Sequence, residues 1–225
     1  MPPASKSTAK RRILLVEDHP VTREGFAQLI DYQEDLQVCG QAGTAAKAIS
    51  GLQTYKPDLL IVDLSLSDSN GLDLIKNVKS RHHHLPILVL STYDESLYAE
   101  RAMRAGAQGY VMKQAPTSEV MQAIRQVLAG GIYLSETIRN KLVHRHLNGP
   151  QTISSMDVDA LSDRELEVFQ LLGTGHSTRQ VAAKLHVSVS TVETYRAHIK
   201  EKLRLSNATE LVHRAVEWAN RPRPA

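Results

Sequence analysis

Between residues 11 and 130, short apolar runs rich in β-branched residues alternate with segments whose apolar positions recur every three or four residues. The runs RILLVE, LQVCGQA, DLLIVD, LPILVLS and GYVMK predict five strands, and the segments between them predict amphipathic helices. Strand and helix in alternation imply a parallel sheet with helices on both faces, an α/β doubly wound fold over residues 11–132. From residue 158 the strand-like runs stop. LSDRELEVFQLLGTG, STRQVAAKLHV, SVSTVETYRAHIKEKLRL and NATELVHRAVEWA follow one another at helical spacing, which predicts a small all-α domain over 158–220. Residues 133–157 join the two. SETIRNKLVHRHL predicts a helix there, and NGPQTISSMDV reads as linker with Gly149 and Pro150 as breakers. Residues 1–10 lack apolar periodicity and read as a flexible basic tail, with 221–225 as a second tail.

Composition narrows the class. The chain has 225 residues, 42% hydrophobic and 23% charged, the mixture of a soluble globular protein with room for two ordinary domains. The single cysteine, Cys39, is expected to be a small core hydrophobe, and one cysteine excludes an intrachain disulfide. No apolar run is long enough to span a bilayer and no secretory leader opens the chain, so a cytoplasmic protein without membrane contact is expected. A net charge of +3 permits contact with nucleic acid without demanding it.

The chemistry gathers at the strand ends. In an open parallel sheet, ligands bind outside the carboxyl ends of the strands. Strand one ends in Glu17 and Asp18, strand three in Asp63, strand four in Ser91 and Thr92, and Lys113 follows strand five. Three neighbouring carboxylates repel one another unless a cation sits among them, which points to a hard divalent ion such as Mg2+ on Glu17, Asp18 and Asp63. With that ion and Lys113 neutralising charge, Asp63 becomes a candidate phosphoryl acceptor, with Ser91 or Thr92 as hydrogen-bond partner to the phosphoryl oxygens.

This arrangement resembles the receiver domain of two-component response regulators, a five-stranded flavodoxin-like or CheY-like fold. VEDHP resembles the family's metal-binding acid pair, and VDLSLSDSNGLDLI resembles its phosphoacceptor loop, with Asp63 the phosphorylated residue and Gly71 the loop-to-helix turn. VLSTYDE is similar to the segment carrying the switch hydroxyl, which falls on Ser91 with Thr92 second. GAQGYVMK supplies the switch aromatic Tyr110 and the lysine Lys113. The resemblance implies a sensor histidine kinase as phosphoryl donor and Mg2+ as cofactor. Ser67 stands where the family usually has proline, which implies a less rigid loop.

The helical segment TRQVAAKLHVSVSTVETYRAHIKEKL predicts two helices joined by a turn at His186–Ser188, with Ser188 or Ser190 as N-cap of the second. Val181, Ala182 and Leu185, then Val192, Ile199 and Leu203, give each helix a buried face. Thr191, Thr194, Tyr195, Arg196 and His198 are expected to face solvent, with Lys200 further along. That is a helix-turn-helix, whose second helix enters the major groove of double-stranded DNA. The segment from Leu161 to Leu205 is similar to the LuxR-type DNA-binding domain, completing the architecture of the NarL/FixJ class. The resemblance implies a recognition helix over 189–204, DNA contacts from Arg196 and Lys200, and a phosphate contact from Thr178. Glu193 holds a position where many relatives have lysine.

The whole reads as a transcriptional regulator switched by phosphorylation of Asp63, acting as a homodimer, with Tyr110 turning inward on phosphorylation. Its rival is a pseudo-receiver transcription factor that answers to a ligand or protein partner. A phosphatase of the haloacid dehalogenase type would need a second acid two residues after Asp63, where Ser65 stands, so an enzyme is not expected. RHHHLP at 81–86 reads as a loop rather than a metal site, because consecutive histidines face different ways. His144 and His146 read as exposed positions of the linker helix.

Overall fold

In the computed structural model of the chain, residues 9–67, 69–148 and 157–220 are described. The chain divides into two compact units, Met1–Asn148 and Gly149–Ala225.

The first unit carries five strands, β1 (Arg11–Val16), β2 (Leu36–Ala42), β3 (Leu59–Val62), β4 (Ile87–Ser91) and β5 (Gly109–Met112). They form one parallel sheet in the order β2-β1-β3-β4-β5. The connecting helices are α1 (Pro20–Asp31), α2 (Ala45–Tyr55), α3 (Gly71–Arg81) and α4 (Glu95–Ala105), with α5 (Thr117–Leu128) after the last strand. Side chains alternate between sheet faces. Ile13, Leu15, Ile61, Leu88 and Leu90 therefore share one face and pack against Ile30 of α1 and Val120, Ile124 and Val127 of α5. Leu14, Val16, Leu60, Val62 and Val89 are buried on the other face, where α2, α3 and α4 lie. The middle strands β3 and β4 are buried along their whole length, as expected of a sheet covered on both sides.

Helix α6 (Glu136–Asn148) follows α5 within the same unit and packs against α4. Ser135 Oγ donates to Glu95 Oε1 at 2.7 Å, and Lys141 Nζ donates to the Ser96 carbonyl at 3.1 Å. The side chains of His144 and His146, the two tails beyond Ala9 and Asn220, and most of the linker read from the sequence lie outside the described residues.

In the second unit a 3-10 turn (Asp157–Ala160) leads into α7 (Asp163–Gly173), α8 (Thr178–Lys184), α9 (Val189–Lys202) and α10 (Ala208–Ala219). Each helix starts on a side-chain cap. Ser162 with Glu165 and Ser177 with Gln180 form capping boxes, and Ser188 and Asn207 accept from Thr191 N and Glu210 N. Phe169, Val181, Val192, Ile199, Leu211 and Ala215 fill the core, and Trp218 meets Phe169 edge-on at 5.5 Å. Gly173 lets α7 and α10 approach closely, since a Cβ there would run into the Ala215 carbonyl.

Of the two serines that the sequence offers as N-cap of α9, Ser188 is the one used. Three details differ from the sequence reading. Cys39 is half-buried on edge strand β2, its thiol against the Ile13 carbonyl at 3.4 Å, because β2 has a neighbour on one side only. Leu185 and Leu203 are half-buried because they sit at the helix C-caps. Helix α9 stops at Lys202, and Arg204 turns left-handed with φ 54°.

Candidate functional site

All five strands run the same way, so their carboxyl ends share one edge of the sheet, and the backbone there is tied strand to strand. Asp63 N donates to the Val16 carbonyl at 2.9 Å, Glu17 N to Ala42 at 3.0 Å, and Lys113 N to Ser91 at 2.9 Å. Asp63 is 1% exposed and Glu17 is also buried. Lys113 Nζ donates to Asp63 Oδ2 at 2.9 Å and is ion-paired with Glu17 Oε2. Ser65 Oγ donates to the same Asp63 oxygen at 3.0 Å. Burial works against the ammonium of Lys113, but the charges and hydrogen bonds of Asp63 and Glu17 outweigh it and hold its pKa above the usual lysine value.

The other Asp63 oxygen, Oδ1, is buried and accepts no hydrogen bond among the described residues, and the same is true of Asp18 Oδ1. An unmet buried carboxylate oxygen costs roughly 1–3 kcal/mol or more. The carboxylates of Glu17, Asp18 and Asp63 outnumber the cations around them, the Lys113 ammonium and the Arg23 guanidinium held on the Glu17 and Asp18 carbonyls. Glu17, Asp18, His19 and Asp63 bring ligand atoms within 4.8 Å of one another, and no other such group occurs among the described residues. The donor set and the orphaned oxygens fit a hard divalent cation. His82, His83 and His84 are exposed and not part of any such group. With Lys56, Arg81 and Pro86 they border an open groove at the amino ends of β3 and β4, the opposite edge of the sheet from Asp63.

The loop after Asp63 returns to the sheet by a tight path. Gly71 N donates to the Leu64 carbonyl at 3.0 Å, and the buried Asn70 caps α3 through Leu72 N at 2.7 Å. A Cβ on Gly71 would lie 2.5 Å from the Asp63 carbonyl oxygen and 2.6 Å from Leu64 Cα. Only glycine lets α3 start this close to Asp63.

Ser91 is buried and its Oγ accepts from Tyr93 N at 3.2 Å, whereas Thr92 is exposed. Tyr110 is 1% exposed and donates its hydroxyl to the Tyr93 carbonyl at 2.7 Å. Burial pushes its phenol far above the usual range, against the Ser91 contact that draws it down. The expectation that phosphorylation turns Tyr110 inward is therefore corrected, because the ring is inward in the unmodified chain. The Tyr93 carbonyl satisfies the hydroxyl, which removes the usual cost of burying it.

In the second unit α9 presents Thr194 and His198 to solvent, while Thr191, Tyr195 and Lys200 are half-buried. Thr191 Oγ1 lies 2.7 Å from Ser188 Oγ in the helix cap. Arg196 differs from the expectation. Its side chain is 15% exposed, hydrogen-bonded to Thr178 Oγ1 and 3.6 Å from Glu193 Oε1, so it bridges α8 to α9 instead of standing free in solvent. Thr178, expected to meet phosphate, is its partner.

Three residues of the first site escape a sequence reading. His19 and Ser65 lie one and two positions from the acids, but their contacts depend on loop geometry. Arg23 donates Nη1 to the carbonyls of Glu17 at 2.7 Å and Asp18 at 3.3 Å, one helical turn into α1. A side chain reaching back to backbone leaves no residue-type signal.

Comparison with known proteins agrees with this geometry. Residues 13–125 match the family described as response regulator receiver domain, and residues 159–215 match the bacterial regulatory proteins of the luxR family. The oxygen regulatory protein NreC of Staphylococcus epidermidis is 34% identical over 211 residues, 92% of this chain and 97% of that protein. The crystal structure of ChrA, response regulator of a heme-sensing two-component system, superposes with a TM-score of 0.52 at 31% identity, covering 94% and 98% of the two chains. RcsB of Salmonella enterica serovar Typhimurium, bound to the rprA promoter with a phosphomimetic, gives a TM-score of 0.63 at 23% identity over 92% and 98%, a likeness of fold. With a receiver sheet and a LuxR-type helical module in one chain, the protein belongs to the NarL/FixJ-class response regulators, a family of transcription regulators rather than enzymes.

Proposed function

We propose that a sensor histidine kinase phosphorylates Asp63 and that this controls binding of the helical domain to double-stranded promoter DNA. One observation carries the reading. The buried Asp63 presents Oδ1 with no hydrogen bond while Lys113 and Ser65 hold Oδ2. A carboxylate fixed by one oxygen and bare at the other is positioned as a nucleophile. In the transfer, Asp63 bonds phosphorus through one carboxylate oxygen, leaving the other to the cation, as the bond from phosphorus to the kinase's histidine nitrogen breaks, and that imidazole leaves and takes a proton from solvent. Lys113 neutralises charge on the acyl phosphate, and Ser91, released from Tyr93 N, hydrogen-bonds a phosphoryl oxygen. Glu17, Asp18 and Asp63 would hold Mg2+, which when bound supplies positive charge to the phosphoryl oxygens.

On the DNA side, Thr194 and Lys200 are assigned to the major-groove face of α9, with Tyr195 beside them and Thr191 at the helix N-terminus. Arg196 and Thr178 contribute by exchanging their mutual bond for contacts to DNA. The relatives include RcsB dimers on DNA, and we assign the active form of this chain as a homodimer in the cytoplasm. No described helix is long and apolar enough to cross a membrane.

The test is incubation of the purified protein with Mg2+ and acetyl phosphate, read by intact mass beside an Asp63→Asn variant. Gain of one phosphoryl group by the native protein alone supports the reading. No gain in a folded protein overturns it in favour of a pseudo-receiver, the second reading, which the inward Tyr110 of the unmodified chain favours.

A further inference from the structure

We propose that His19 is a metal ligand, so that the acid pocket is a mixed nitrogen and oxygen site that takes a first-row transition cation such as Mn2+ or Co2+ more tightly than Mg2+. This inference rests on the metal reading above and adds a donor to it. His19 precedes α1 as its N-cap residue, but its side chain makes no cap hydrogen bond. Although 68% exposed, the imidazole turns back over the acids. Nδ1 lies 3.2 Å from Glu17 Oε1 and 2.7 Å from Asp18 Oδ1. The Glu17 contact has hydrogen-bond geometry, and the Asp18 oxygen, though closer, accepts no hydrogen bond. In the metal-free chain Nδ1 carries the proton that it gives to the Glu17 carboxylate, and ligation would release that proton and let Nδ1 and the adjacent Asp18 Oδ1 serve as neighbouring donors to a shared cation.

The spacing agrees. Around a six-coordinate ion with bonds of about 2.1 Å, adjacent donors are about 3 Å apart and opposite donors about 4.2 Å apart. The four ligand atoms here lie within 4.8 Å of one another, close to the span of opposite donors around such an ion. The buried, unbonded Oδ1 of Asp63 independently indicates a ligand in the same space. Donor type then decides the ion. Mg2+ prefers oxygen and gives up its water reluctantly, imidazole suits the later first-row ions such as Co2+, and Mn2+ combines a carboxylate preference with tolerance of one nitrogen donor. His19 N donates to Glu17 Oε1 at 3.0 Å, which fixes the backbone that carries the ring.

Mn2+ and Mg2+ titrations by calorimetry at pH 8, with electron spin echo envelope modulation on the Mn2+ complex, test this on the full-length protein. Three variants are compared with native protein: His19→Ala, His19→Asn, which restores a good N-cap residue, and a triple His82, His83 and His84→Ala control. The expected result is a 14N modulation in native protein and in the triple variant that is lost in both His19 variants. Mn2+ affinity in those variants falls by about tenfold while Mg2+ affinity stays within about twofold. Mn2+ binding without nitrogen modulation, or modulation that survives His19→Ala, overturns the ligand role and leaves the acid site standing. Absence of binding by either ion overturns the acid site itself.

Discussion

At Gly71 there is no room for a side chain, and the consequence reaches Asp63. Gly71→Ala forces its Cβ against the backbone of Asp63 and Leu64, so the α3 start or the loop after Asp63 must move. Overpacking of this kind costs about 1–3 kcal/mol, and we expect a fall in melting temperature together with slower labelling by acetyl phosphate. Normal labelling in a stable Gly71→Ala protein would show that the loop can give way. Tyr110→Phe removes the buried hydrogen bond to the Tyr93 carbonyl, worth about 1 kcal/mol, together with the Ser91 contact, and should shift the amide resonances of residues 93–95 without unfolding the sheet. The acids at the strand ends were legible in the sequence because β-branched runs ending in Glu17 and Asp63 set both strand and boundary. His19, Ser65 and Arg23 were not, since their roles depend on side chains bending back across a loop. The position of Arg196 was misread for a related reason: a helical repeat shows which face is polar, but not that Thr178 and Glu193 occupy a guanidinium on that face.

At the scale of elements, the strands and helices of both units follow from local pattern, and the ties between elements do not. Helix α6 is held to the start of α4 by the Ser135–Glu95 and Lys141–Ser96 hydrogen bonds and by the buried Ile138. The same segment carries Tyr93, whose carbonyl receives Tyr110 and whose amide contacts Ser91. A change at Ser91 thus acts one turn away from the anchors of α6. At about 1 kcal/mol for each bond, Ser135→Ala with Lys141→Ala should raise amide exchange in the first turns of α6 by roughly tenfold or more, read by mass spectrometry, while β1–β5 remain protected. Unchanged exchange would assign the anchoring to Ile138. In the second unit Glu165 closes the α7 capping box and meets Lys202 of α9 at 2.6 Å. Burial raises its pKa, and Lys202 and Ser162 more than reverse this, so the carboxyl lies below its usual value. A carboxyl lowered in the folded state stabilises that state above its unfolded pKa and loses the contribution as pH falls through its folded one. Trp218, the only tryptophan, reports this unit alone. Its fluorescence should show unfolding by denaturant becoming easier below about pH 4.5 in native protein, with a smaller change in Glu165→Gln.

For the whole molecule the question is how a small helical module gains enough affinity to choose a promoter. A single module of this size covers about 600–1,000 Å² of DNA, and its phosphate contacts are weakened by salt. The exposed part of α9 offers few cations, and Glu193 at its surface adds repulsion from phosphate. A two-fold pair of modules doubles the phosphate contacts and requires half-sites about 10 base pairs apart or a multiple of that. On the proposed reading, phosphorylation favours the pair and so acts on DNA affinity without altering any contact in the groove. We expect the acetyl phosphate-treated chain to sediment as a dimer and to protect two half-sites. Inserting 5 base pairs between them should place one on the opposite face of the duplex and lower affinity at least tenfold, and inserting 10 should restore much of it. A phosphorylated monomer protecting one half-site, or binding indifferent to the 5-base-pair insertion, would show that one module suffices. Affinity would then have to come from contacts that α9 makes only after Arg196 leaves Thr178, and Arg196→Lys, which loses the planar two-sided hydrogen bonding, would weaken DNA binding without changing the oligomeric state.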